Sequence, residues 1–418
     1  MGTICDDVVQ IRPPDSAGEP TVITINCPDK IGLGCDLSRV ILFFDLNIVR
    51  GDASTDGTWC FVVFWVVGRG GKATKWGLLK KRLLGVCPTA PPASVLCRFQ
   101  FCPQEMMMTD QKPQVFLLKF CCFDRNGLLH DVTQVLCEME LTILKVKVST
   151  TPDGRVIDLF FITDTRELLH TRKRKEETKD HLKSILGDSM TSCEIEPTSG
   201  EITTYLQASP FLPPEISEEI FNLELPKELL KGSHYKPYVP NVTVDNSLSP
   251  GHSLIQIICH DHKGLLYDVM RVLKDYNIQL SYGRFYTSPK GMCEIDLFVV
   301  QMDGHKIIDD SKLKALCDRL RMEMYKPLRV AVVNRGPDTE LFVANPVELS
   351  GKGRPRVFHD VTLALKMLHT RIFLAEIGRH VVSNREWEVY RILLCDDESS
   401  ADYSKIIDRV MKMLMGWD

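Results

Sequence analysis

Three stretches of the sequence carry residues suited to chemistry. Each has an aspartate, a glycine three positions on and a second aspartate four further: Asp29, Gly32 and Asp36; Asp124, Gly127 and Asp131; Asp261, Gly264 and Asp268. Glycine in such a bend can take a positive φ and lets a ligand approach the backbone. A helix beginning there presents unpaired N–H groups and a partial positive charge, which suit a carboxylate. The first aspartate could pair with an ammonium group in the same pocket. One bend can then hold both ends of a free amino acid. The candidate ligand-binding residues are Asp124, Asn126, Gly127 and Leu128; Asp261, Gly264 and Leu265; and Asp29 and Gly32. The plainer alternative is that the glycines only turn strand into helix and the first aspartates cap the loop. The second aspartates, with Asp360 of a looser fourth copy, fall in a first helical turn, where negative charge is favoured for structure alone. The first copy departs from the pattern, with Gly34 where the others have Leu129 and Leu266. That weakens its claim to a ligand. The fourth copy has a longer loop, Asn345–Arg356, without the spacing, and is expected to support and not to bind.

Other chemistry is poorly supported. His130-Asp131 and His359-Asp360 spell a metal-hydrolase pair, yet each opens an amphipathic helix and recurs only as Tyr267-Asp268 and Cys35-Asp36. His260-Asp261-His262 is one strand end with no partner cluster, so no metal is expected. The 15 cysteines include no CxxC, and most lie in apolar runs: Cys60, Cys121, Cys122, Cys137, Cys259, Cys293 and Cys395. They read as buried and reduced. Phosphate-loop and nucleophile-elbow motifs are lacking. The expectation is a protein that is not an enzyme and uses no cofactor.

A net charge of −4, with 44% hydrophobic and 25% charged residues, gives no field for nucleic acid or an anionic membrane. The longest apolar run, Cys60–Val67, is too short to span a bilayer and reads as a buried strand. Burial of the aromatic stretch Trp59–Val67 also argues against an RNA-binding sheet. No signal-peptide core opens the chain, and Asp6 stands where a myristoylation motif wants Ser or Thr. Cytoplasmic residence is expected. A nuclear location stays open through Arg172-Lys173-Arg174-Lys175, although a solvated helix face explains that run too.

The elements that position the bends repeat with them. Counted from the second aspartate, apolar residues recur at −3, +1, +4, +5 and +8: Leu33, Leu37, Val40, Ile41 and Phe44 in the first copy. The same set is Leu128, Val132, Val135, Leu136 and Met139 in the second, and Leu265, Val269, Val272, Leu273 and Tyr276 in the third. Val357, Val361, Ala364, Leu365 and Leu368 form the fourth. That spacing traces one stripe of a helix. A period-2 strand precedes each helix, and two apolar runs joined by a turn follow it. The turns fall at Asp56-Gly57, Thr151–Gly154, Ser288–Gly291 and Ser383-Asn384. Second helices are expected at Lys72–Leu84, Arg172–Leu186, Ser311–Met324 and Ala401–Met415. Closing strands are expected at Ser94–Phe101, Thr191–Glu196 and Leu328–Val333, with none after the fourth second helix. The plan is β-α-β-β-α-β, an α+β fold with antiparallel sheets and helices on one face. Four tandem ferredoxin-like modules span 21–104, 114–198, 251–334 and 339–418. The linker 199–250 carries an expected helix near Pro214–Lys231. Short links between modules one and two, and three and four, suggest a 2+2 arrangement, with other pairings open.

At DRNGLLHDV and DHKGLLYDV, and more loosely at DKIGLGCDL, the chain resembles the ACT domain. As a whole it resembles plant ACT-repeat proteins, and the segments are similar to the regulatory tail of bacterial uridylyltransferases. The resemblance covers nearly all of the chain outside 199–250. It implies regulation without catalysis, and amino acid binding at the interface of paired modules. The partners it admits are a small amino acid, a protein that reads the ligand state, and further copies joined by module pairing. The competing expectation is a scaffold of the same modules that has lost its ligand.

Overall fold

The computed structural model describes residues 7–16, 18–68, 74–89, 114–198, 212–221, 240–335, 338–382, 385–395 and 403–416. Module one contains β1 (Val9–Arg12), β2 (Thr21–Pro28), α1 (Leu33–Phe43), β3 (Leu46–Thr55), β4 (Trp59–Gly68) and α2 (Trp76–Val86). Module two contains β5 (Phe116–Phe123), α3 (Leu128–Glu138), β6 (Leu141–Thr150), β7 (Arg155–Asp164), α4 (Arg172–Leu186) and β8 (Met190–Pro197). The linker supplies α5 (Pro214–Phe221). Module three contains β9 (Asn241–Asp245), β10 (Ser253–His260), α6 (Leu265–Asp275), β11 (Gln279–Thr287), β12 (Met292–Val300) and α7 (Asp310–Tyr325). Module four contains β13 (Arg329–Arg335), β14 (Asp338–Pro346), α8 (Val357–Met367), β15 (Arg371–Val382), β16 (Arg385–Cys395) and α9 (Tyr403–Met415). The expected strand Ser94–Phe101, the turn Ser383-Asn384 and the tail of the expected linker helix beyond Phe221 lie outside the described residues.

The modules pair one with three and two with four. The first unit draws on Met1–Gln104 and Leu223–Pro327, the second on Glu105–Asn222 and Leu328–Gly416. Each holds one eight-stranded antiparallel sheet, β1-β2-β4-β3-β11-β12-β10-β9 and β13-β14-β16-β15-β6-β7-β5-β8. The seams are β3 with β11, where Gly51 lies opposite Phe285, and β6 with β15, where Val148 lies opposite Ala375. Linker length therefore does not choose the partner. Doubling a loop costs only about 0.6 kcal/mol, less than a matched strand edge returns. Module pairing is met within a single chain.

The closing strands need correction. Only module two, among the described residues, runs the expected β-α-β-β-α-β course, with β8 beside β5. In the other modules a strand that precedes the unit takes that edge: β1 beside β2, β9 beside β10 and β13 beside β14. The run expected at Leu328–Val333 thus closes module four instead of module three. The reason is geometric. The edge needs one antiparallel strand beside the first, and a hairpin with an upstream segment reaches it as well as a crossover from the second helix.

The helical stripes face the sheets as expected. Leu37, Ile41, Val132, Leu136, Val269 and Leu365 are buried in the two principal cores. A second buried face joins helix to helix. In the second unit α3 meets α8 through Thr133 Oγ1 and Thr362 Oγ1 at 3.0 Å and through the rings of His130 and His359, 4.9 Å apart. Burial pushes the His130 imidazole down to about 4, with His359 and Lys366 adding to it, so the ring is uncharged at neutral pH. These histidines are packing groups of the helix seam. The expected burial of Trp59–Val67 holds for only one face: Cys60, Val62, Phe64 and Val66 are buried, whereas Trp59 and Phe61 are exposed. A sheet with helices on one side leaves alternate residues facing outward. On module four α5 covers part of that outer face, packing Ile216, Ile220 and Phe221 on Phe342 and Trp387. Cys121, Cys137 and Cys395 are half-buried, where full burial was expected.

Candidate functional site

Each bend has the backbone the sequence requires. Gly32, Gly127 and Gly264 start their helices at φ +74°, +75° and +81°. Arg356 takes the same place in module four at φ +66°, an uncommon conformation for a residue with a side chain. The first aspartates end their strands and tie into the hairpin turns: the N–H groups of Asp29, Asp124 and Asp261 donate to the carbonyls of Thr58, Gly154 and Gly291 at 2.8–2.9 Å.

Two of the second aspartates, Asp36 and Asp131, anchor the paired module. Asp36 takes Lys30 at 2.7 Å from its own bend and Lys274 at 2.9 Å from the end of α6. Asp131 repeats this with Arg125 and with Lys366 of α8, both at 2.6 Å. Burial works to raise both carboxyls, but the two cations at each outweigh it and hold them below the usual carboxylate range. The stems of these lysines lie over the glycines. A Cβ on Gly32 would stand 2.6 Å from Lys274 Cδ, and one on Gly127 would stand 2.6 Å from Lys366 Cδ. Gly127→Val should therefore cost about 2–3 kcal/mol from left-handed strain and the clash, read as a lower denaturation midpoint. An unchanged midpoint would refute this account of the bend.

The spaces beside the bends differ in size. At module one a cavity of about 90 Å³ runs from Asp29 and Gly34 to Met270 of α6 and to Gln279 and Ser281 of β11. The pockets at the module two and module three bends hold about 20 Å³ each, one water-sized group. The contrast follows from one side chain. Leu129 and Leu266, both buried, stand where module one has Gly34. Gly34 thus leaves room that a leucine would fill. In module four that place belongs to Phe358, stacked on Tyr390 at 5.6 Å, and Asn345 Nδ2 donates to Glu388 Oε2 at 3.1 Å beside it. Inside the first cavity Asp29 accepts from Thr55 Oγ1 at 2.7 Å and from the Lys30 N–H at 2.8 Å. Val62, Phe64 and Leu266 make the remainder apolar.

Asp29, Gly32, Asp124, Gly127, Asp261 and Gly264 all border one of these three spaces, as do Leu128 and Leu265. Asn126 points away, to His369 Nδ1 at 2.9 Å. Gln279, Ser281 and Asp158 were not among the expected site residues, and Gly34, expected to weaken the first site, instead opens it. Asp158 had a signal, since it is acidic at an inward position between Val156 and Phe160.

The whole chain aligns with two relatives from Arabidopsis thaliana. It is 55% identical to ACT domain-containing protein ACR10 over 419 residues and 51% identical to ACT domain-containing protein ACR9 over 424, covering 100% of each chain. The chain belongs to the ACR family of ACT-domain proteins. Family models agree piece by piece: the ACR10 N-terminal model over 11–88, the ACT domain over 116–180, the ACR9-like ACT-like domain over 241–338 and the ACR9 C-terminal model over 339–416. A bifunctional uridylyltransferase/uridylyl-removing enzyme of Rhodospirillum rubrum is 28% identical over 47% of this chain and 18% of its own. The protein is thus an ACT-repeat chain of the plant ACR type, a regulatory family. Among its described residues no helix is long and apolar enough to cross a membrane, and no group of three or more His, Cys, Asp or Glu is placed to hold a metal.

Proposed function

We propose that this ACR-family chain is a non-catalytic cytosolic sensor that binds a small free amino acid where paired modules meet, chiefly in the module one cavity. The observation that carries the reading is the space beside Gly34, at the start of α1. Its wall is shared by both modules of the unit, so an occupant would tighten them against each other. Asp29 is available for an ammonium group and the α1 amino end for a carboxylate. The apolar floor favours a side chain without charge. A partner protein would read the tightened unit. The bends at Asp124–Leu128 and Asp261–Leu265 would serve as lesser sites.

Thermal melts of the full chain with each of the twenty amino acids test this. A ligand at a hundred times its Kd adds about 2.7 kcal/mol and raises Tm by several degrees. Gly34→Leu should remove the larger part of that shift, the part due to the module one cavity, while leaving the chain folded, since leucine is the better helix former by about 1 kcal/mol and its neighbour at 3.1 Å is the flexible Met270. Silence across the panel would leave the ligand-free scaffold, a reading favoured by the lysine stems over Gly32 and Gly127 and by the filled module four. A shift undiminished in folded Gly34→Leu would move the main site elsewhere.

A further inference from the structure

The second unit has a buried group that packing does not explain. Asp158, in the middle of β7, is 1% exposed, and no donor among the described residues reaches either of its carboxylate oxygens. Its partner across β6 is Val148, and across β5 it is Phe120. The same place in the sheet is Val62 in module one, Ile295 in module three and Tyr390 in module four, by the matching pairs with Ala53, Phe285 and Ile377. The fold therefore does not need a carboxylate here, and burying one without a partner is costly. Asp158 faces the small pocket that Asp124, Gly127, Thr362 and Lys366 also line. The pocket's cations do not serve it: Arg125 and Lys366 both bind Asp131, and Arg371, the third on its wall, makes no hydrogen bond to Asp158. Thr150 Oγ1, at the place of Thr55, is also buried with no partner among the described residues, so the Asp29–Thr55 bond of module one has no counterpart here.

We infer that Asp158, with Asp124, receives the ammonium group of a primary amine in the pocket beside Gly127, a site of different charge preference from the module one cavity. This rests on the reading that the bends are ligand sites, but not on the first cavity being occupied. An ammonium group brings three N–H donors to carboxylate oxygens that lack them. About 20 Å³ admits that head group alone, so the rest of the ligand lies outside the pocket. Burial, and next the charge of Asp124, push the free Asp158 carboxyl well above the carboxylate range. The empty site then holds a proton that the ammonium displaces, so affinity rises with pH.

The test is titration calorimetry of the full chain carrying Gly34→Leu, which closes the first cavity, with glycine, L-lysine and ethylamine against N-acetylglycine. The amines should bind and release a proton, seen as heat that varies with buffer, and N-acetylglycine should not. Asp158→Asn should weaken the amines roughly tenfold to a hundredfold and abolish the proton release, and Asp158→Val, which copies Val62, should do the same. Equal affinity in the folded Asp158 variants, or no amine binding to the Gly34→Leu chain, overturns the inference. Loss of all response in the chain with Gly34 intact instead overturns the sensor reading as a whole.

Discussion

Arg271→Ala is expected to lower stability by about 3–5 kcal/mol, the largest effect of any single change considered. Arg271 lies on α6 with no exposed surface and binds Glu323 of α7, also buried. Asp268, at the start of the same helix, lies 3.5 Å from the guanidinium and is equally buried. Burial works against the charge, but Glu323 and then Asp268 outweigh it and hold the guanidinium protonated more firmly than usual. Removing the arginine leaves two buried carboxylates with Arg319, 3.2 Å from Glu323, and His262, 3.4 Å from Asp268, beside them, while a surface pair broken in the same way costs under about 1 kcal/mol. Denaturant melts of the variant give the number. Arg271→Met with Glu323→Leu and Asp268→Asn should recover most of the loss, because a matched apolar replacement removes the charges together. A loss below about 1 kcal/mol for Arg271→Ala would mean that the cluster is solvated.

Asp158→Val is expected to raise stability by about 1–3 kcal/mol at neutral pH, with the gain shrinking in acid. The folded Asp158 carboxyl is raised above its unfolded value, so the folded state binds the extra proton. Its contribution is fullest below about pH 4, the unfolded value, and is lost as pH rises toward the folded one. Valine has no such loss, so the two melting curves should diverge upward from about pH 4. Parallel curves at pH 4.5 and 7.5 would place Asp158 in contact with water. A residue whose removal stabilises the fold is retained for use elsewhere, which links this result to the amine site.

Much of the fold was legible because it rests on short-range rules. The spacing of Leu33, Leu37 and Ile41 marks a helix stripe, and Gly127 marks a bend, from neighbours within a few residues. The Arg172–Leu186 helix has the expected bounds, with Thr171 accepting from the Arg174 N–H at its start. The site was read less well. Gly34 looked like damage to a motif, since a missing leucine weakens a pattern on paper. In three dimensions the missing side chain is the cavity. His130 and His359 were expected to open helices without a metal, and the fold adds that they share one seam, because α3 and α8 bring them together from 229 positions apart.

The amino-acid sequence alone determined the four repeats, their bends, their helix faces and the family, since each depends on residues close along the chain. Tertiary structure decided that module one joins three and two joins four, that upstream strands close three of the modules, and that lysines cover two of the bends. It also decided which bend keeps a cavity and which carboxylate goes without a partner. Strand edges, volumes and hydrogen-bond donors are matched between segments far apart, and no local pattern records whether a partner arrives.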